Sequence, residues 1–193
     1  MIATEFPGPP FELFPEAQRW WSFADYGAVV GLMRRFGARE VLEFGPGSST
    51  LALLEGGASR VDTFEDNPDW LGVWAERLAA RFPDRVFLHP FEWADPLELG
   101  DAFDRRKWDL ALIDGPHGTL ARPAVIAWAL ARCKVVVVPT EEIAYGRGAL
   151  RLFLEALAET AGVPIEYVET GPAAGGFAVL ARRRPGRPWK VKP

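Results

Sequence analysis

The stretch VLEFGPGSST, Val41 to Thr50, decides the fold. Glu40 to Phe44 is a short apolar run that ends in Gly-Pro-Gly, which reads as a buried strand. Ser48 to Leu54 then reads as a helix, closed by Gly56-Gly57. Strand, glycine-rich turn and helix in that order open an α/β unit.

Working upstream, Ser22-Phe-Ala-Asp25 has capping-box spacing before Tyr26 to Phe36, so a helix is expected there, stopping at Gly37. Residues 1–16 carry four of the 17 prolines and no helical period, so 1–21 reads as an extended arm. Downstream the pattern repeats. Val61 to Glu65 is a second strand, and Asn67-Pro68 reads as an N-cap with proline at the first helical position, opening a helix to about Arg81. Val86 to His89 and Trp108 to Asp114 are the third and fourth strands. Thr119 to Ala131 is a helix, Lys134 to Pro139 a fifth strand with four consecutive valines, and Ala149 to Ala161 a helix ended by Gly162. Ile165 to Thr170 and Phe177 to Arg182 close the chain's pattern, with only Gly171 to Gly176 between them. A parallel crossover needs a dozen or more residues, so this last pair should be antiparallel. The fold class expected is α/β: a seven-stranded, mostly parallel sheet, helices on both faces, and a reversed C-terminal strand. It occupies residues 22–182, between the arm and a basic tail, 183–193.

Charge supports that division. Lys plus Arg is 22 and Asp plus Glu is 26, a net −4 over 193 residues. Arg182 to Pro193 holds six basic groups and no acid, which leaves −10 on the rest. An acidic body repels phosphate, which argues against nucleic acid as a partner except at the tail. One cysteine, Cys133, cannot form an internal disulfide. No run of 18 apolar residues predicts a membrane span, and MIATEFPGPPFELFPE has no signal-peptide pattern, so a cytoplasmic location is expected.

In open α/β sheets, ligands bind at the carboxyl ends of strands. There the first strand delivers Glu43-Phe44-Gly45-Pro46-Gly47-Ser48-Ser49-Thr50, the second Glu65-Asp66-Asn67, and the third leads to Phe91-Glu92-Trp93. The fourth delivers Asp114-Gly-Pro-His117, the fifth Pro139-Thr-Glu141-Glu142. Gly45 and Gly47 allow close approach to the backbone. Glu65 lies 20 residues past Gly45, a spacing that suits a carboxylate accepting from both ribose hydroxyls of an adenosine. A dinucleotide fingerprint would place a third glycine at 50, where Thr50 stands. Glu43 beside the turn would repel a pyrophosphate and suit a ligand with a positive centre and an ammonium group.

VLEFGPGSST resembles motif I of the class I S-adenosylmethionine-dependent methyltransferases. Glu65 matches that family's ribose acid, WDLALIDGPHG (Trp108 to Gly118) its fourth-strand motif, and GGFAVLAR (Gly175 to Arg182) its closing reversed strand. The resemblance spans about residues 38 to 182 in the right order. It implies S-adenosylmethionine across the strand ends, with Gly45, Pro46, Gly47 and Thr50 at the methionine part, Glu43 on its ammonium side, and Glu65 at the ribose. Asp66 and Asn67 would border the adenine, joined by Glu92 and Trp93, where the match is loose. Methyl transfer by in-line displacement then needs alignment and a proton acceptor, for which His117 is the candidate, with Asp114 facing the methyl group or orienting the acceptor. Metal-dependent catechol-type members carry Asp-Asn after the fifth strand. Glu141-Glu142 replaces it here, which argues against magnesium, and no metal site is expected.

The expected acceptor is a small molecule, methylated at oxygen, and a homodimer stays open. The rival readings are a non-catalytic S-adenosylmethionine-binding module, an RNA-directed methyltransferase using the tail, and an aminopropyltransferase, which would want a second acid beside Asp114. Trp70 and Trp74, four apart on one helix, read as core packing, Trp20 and Trp21 as a staple for the arm, and His89 as structural.

Overall fold

The computed structural model describes residues 23–79, 81–92, 99–115, 122–139, 146–169 and 176–182. The arm with Trp20 and Trp21, Ser22, Trp93, His117, the Glu141-Glu142 pair, the residues 171–175 and the tail 183–193 lie outside the described residues. Seven strands form one sheet in the order β3-β2-β1-β4-β5-β7-β6. The chain divides into two compact units, Met1–Phe91 and Glu92–Pro193.

In the first unit, α1 (Phe23–Phe36) precedes β1 (Glu40–Phe44), α2 (Ser48–Glu55), β2 (Arg60–Glu65), α3 (Pro68–Trp74) and β3 (Val86–Pro90). Gly37, at φ +60°, ends α1, and the Ala38 N–H donates to the Met33 carbonyl, the bond that closes a helix on a left-handed glycine. β1, β2 and β3 pair in parallel, with Glu43 beside Thr63 and Phe44 beside Phe64. Val41, Leu42 and Phe44 on β1, and Val61 and Phe64 on β2, are buried, and so are the polar Glu43, Asp62, Thr63 and Glu65, so these strands are covered on both faces as parallel strands should be. On β2, Asp62 is fully buried and matched by charge: Arg60 donates to both its oxygens at 2.8–3.2 Å, and His89 Nε2 lies 3.3 Å away.

In the second unit, α4 (Asp101–Asp104), β4 (Trp108–Ile113), α5 (Arg122–Arg132), β5 (Cys133–Pro139), α6 (Gly146–Thr160), β6 (Ile165–Glu169) and β7 (Phe177–Arg182) follow. β4 and β5 are parallel, and β7 runs antiparallel to both β5 and β6, the reversed strand expected from the short connection. Val135 to Val138 are all buried, which explains the unbroken valine run.

Three features depart from the sequence expectations. The helix after Asn67 is α-helical only to Trp74 and then widens into one π turn, Ala75–Ala79, which leaves no mark in composition. The single turn α4 is too short to show a period. The charge sum that began the tail at Arg182 is off by one residue: Arg182 closes β7, where the strand reading placed it, and its guanidinium donates to the Leu130 and Ala131 carbonyls at the end of α5. Five basic groups, not six, therefore lie beyond the last strand. No described helix is long and apolar enough to cross a membrane.

Candidate functional site

β1 and β2 end side by side. The Gly45 N–H donates to the Phe64 carbonyl at 3.0 Å, so the first residue of the Gly-Pro-Gly turn lies alongside the strand that carries Glu65. The 20-residue spacing thus sets the turn beside the strand end that carries the acid. Gly45 sits at φ +89°, a conformation that other residues adopt only with strain. Gly47 is extended, at φ −178°, a conformation that any residue adopts.

The polar groups of the turn are used inside the protein. Pro46 has no N–H, the Gly45 N–H is held by Phe64, and the Gly47 N–H donates to Thr50 Oγ1 at 3.0 Å. The Pro46 carbonyl accepts from the Trp70 indole N–H at 2.9 Å. Thr50 in turn donates to Glu43 Oε2 at 2.7 Å, and both side chains are fully buried. This explains the departure from a third glycine: position 50 needs a hydroxyl that both accepts and donates. It also restricts the ligand. A phosphate cradle requires free backbone N–H groups. Here both N–H groups of the Gly-Pro-Gly turn are spent and a carboxylate lies behind them.

The second strand supplies the acid. Glu65 is 8% exposed, and its Oε1 accepts from the Asn67 N–H at 2.8 Å. Burial pushes its carboxyl up to about 7; the Asn67 amide pulls the other way, and the charge of Asp66 adds to the rise. Asn67 caps α3, its side chain accepting from the Asp69 and Trp70 amides at 3.0 and 3.2 Å, with Pro68 at the first helical position. Asp66 and Asn67 are exposed.

Glu43, Gly45, Pro46, Gly47, Thr50, Glu65, Asp66 and Asn67 thus come together in the first unit. Glu92, exposed, begins the second. Asp114 follows β4, and its carbonyl accepts from the guanidinium of Arg122, a buried residue at the start of α5. Sequence reasoning missed Arg122, which no motif marks. It also read Trp70 only as packing: Trp74 is 1% exposed and core, but Trp70 is half-buried and holds the turn. Trp93 and His117 lie outside the described residues. Among the described residues no group of three His, Cys, Asp or Glu could hold a metal ion.

No protein-family model matches the sequence, and no curated protein sequence matches it. Solved structures do. A Staphylococcus aureus protein assigned as a caffeoyl-CoA O-methyltransferase superposes with a TM-score of 0.65 at 16% identity, over 90% of each chain. CalS10 from Micromonospora echinaspora, an amino pentose methyltransferase solved with S-adenosylmethionine bound, gives 0.61 at 18% identity, over 90% of this chain and 96% of the other. PH1948 from Pyrococcus horikoshii, assigned as an RNA methyltransferase, gives 0.60 at 15%, over 84% and 85%. The fold is that of the class I S-adenosylmethionine-dependent methyltransferases. The reversed β7 is part of that match.

Proposed function

We propose that the chain is an S-adenosylmethionine-dependent methyltransferase that methylates a small molecule at oxygen. The observation that carries this reading is the pairing of a turn whose N–H groups are spent with a buried acid on the next strand. Among the described residues no cation lies beside Glu65, which favours ribose hydroxyls, and a Gly-Pro-Gly turn whose two N–H groups are bonded internally, with Glu43 behind it, disfavours pyrophosphate. These residues suit S-adenosylmethionine, which when bound supplies a methyl group already activated on a sulfonium. Glu65 accepts from the ribose hydroxyls, Gly45 and Gly47 let the methionine part approach the backbone, and Glu43 places negative charge on its ammonium side. Asp66, Asn67, Glu92 and Trp93 border the adenine. Asp114 orients the acceptor and a ring nitrogen of His117 takes its proton. The fold likeness to enzymes of small-molecule acceptors supports the acceptor class.

Calorimetric titration with S-adenosylhomocysteine tests the reading. Binding at about 100 μM or tighter, about −5.5 kcal/mol, is expected; no heat at protein concentrations able to detect it would sink the proposal. Turnover of labelled S-adenosylmethionine then decides the acceptor, with phenolic and sugar hydroxyls expected to accept and RNA not. The likeness to PH1948 makes RNA the arm that would overturn the small-molecule assignment.

A further inference from the structure

The Pro46 carbonyl and the Gly47 N–H are the two ends of one peptide group. Trp70 holds the first at 2.9 Å and Thr50 the second at 3.0 Å. A peptide before a glycine is otherwise the easiest in a chain to flip, because glycine accepts either orientation. We propose that Trp70 is a positioning residue that locks this peptide and thereby sets the surface offered to the methionine part of the ligand. This rests on the reading of the site given above.

Trp70 is placed for the task by the same short segment that carries the ribose acid. The Asn67 side chain accepts the Trp70 amide at 3.2 Å, and the Asn67 N–H holds Glu65 Oε1 at 2.8 Å. Trp74 sets the indole from behind, edge to face, with ring centroids 5.6 Å apart at 61°. The Trp74 ring also lies 3.9 Å from where a side chain on Gly47 would begin. Trp70 therefore ties the glycine-rich turn of β1 to the loop after β2. With the bond intact, the carbonyl of Pro46 is withheld from the ligand and the glycine faces are presented. Without it, the peptide can turn, and the surface under the methionine part is no longer fixed.

The substitution Trp70→Phe keeps an aromatic ring against Trp74 and removes the N–H. Because the peptide lies at the methionine end, the loss should be confined there. S-Adenosylhomocysteine should bind about 5- to 10-fold more weakly, the scale of one neutral hydrogen bond. 5′-Methylthioadenosine, which has the ribose and adenine but no amino-acid part, should bind within about two-fold of the wild type. Equal affinity of variant and wild type for S-adenosylhomocysteine, or equal loss for both ligands, would overturn the proposal. If the wild type binds neither ligand, the methyltransferase reading itself fails. Should the variant not fold, the indole N–H resonance of Trp70 in the ¹⁵N-labelled wild type decides. It should move on adding S-adenosylhomocysteine and stay on adding 5′-methylthioadenosine; equal movement with both would refute the lock.

Discussion

β2 carries two buried acids three residues apart, and they are treated in opposite ways. Asp62 is fully buried and receives a forked guanidinium from Arg60 and the His89 ring. Glu65, at the strand's end, receives the Asn67 amide and has a second acid, Asp66, as its neighbour. Burying a carboxylate is tolerable when an opposite charge compensates it. Asp62 meets that condition within the protein, so it reads as structural. Glu65 meets it only in part, and its carboxyl rises to about 7. Burial alone therefore does not mark a ligand-binding acid; the partners do.

The comparison predicts which acid the fold needs and which the ligand needs. Replacing Asp62 by Asn leaves Arg60 facing a neutral group. Breaking a buried pair costs about 3–5 kcal/mol, and the partly exposed Arg60 puts this case at the low end. The melting temperature should fall by about 6–12 °C, read by calorimetry or circular dichroism. Glu65→Gln should do the reverse. It should leave the melting temperature near or above that of the wild type, and weaken S-adenosylhomocysteine by about 10- to 100-fold, the scale of one hydrogen bond to a charged group. A Glu65→Gln protein that melts early and binds normally would invert the assignment.

The raised carboxyl of Glu65 also gives the pair different pH behaviour. A carboxyl whose value is higher in the folded state than in the unfolded chain favours the fold while protonated. That contribution is fully present below about 4.5 and is lost as pH rises through about 7. The melting temperature of Glu65→Gln relative to wild type should therefore climb between pH 5 and 8. Ribose hydroxyls donate to the ionised form, so ligand binding should go the other way, about 10-fold tighter at pH 8 than at pH 6. At pH 7 each binding event should release about half a proton. Titrations in phosphate and in Tris read that release as a difference in apparent enthalpy, and the difference should vanish in Glu65→Gln.

Much of this region was legible in the sequence because the backbone writes it. Strand, Gly-Pro-Gly and helix give β1 and its turn, and parallel pairing sets Gly45 against Phe64, the residue before Glu65. Asn67-Pro68 announces the start of α3 in two residues. What stayed hidden depends on side chains meeting across the fold. Trp70 and Trp74 carry the same four-residue spacing as any packed pair, and only the approach of the indole to a carbonyl 24 residues away separates their roles. Thr50 was visible as a departure from glycine, but its reason required Glu43 and Gly47 to be placed around it. Nothing in the sequence marks Asp62, because its partners meet it only in the fold: Arg60 points back onto it and His89 arrives from β3. Arg182 was read onto the last strand and only its charge was summed with the tail; its partners on α5 left no mark in the sequence.

The mildest test concerns what holds Glu65 in place. Asn67 acts twice: its side chain caps α3, and its main-chain N–H holds Glu65 Oε1. Asn67→Ala removes the first action and keeps the second. Losing the cap should cost about 1 kcal/mol, a fall of about 2–4 °C in melting temperature. The affinity for S-adenosylhomocysteine should change by less than about two-fold, since one weak neutral bond at an exposed position is worth little in binding. A larger loss of affinity than of stability would mean that the cap, through Trp70 and the turn it grips, positions the acid as well as the helix. Glu65 would then depend on side chains of its loop much as Asp62 depends on Arg60, and the contrast between the two acids would narrow to the charge of their partners.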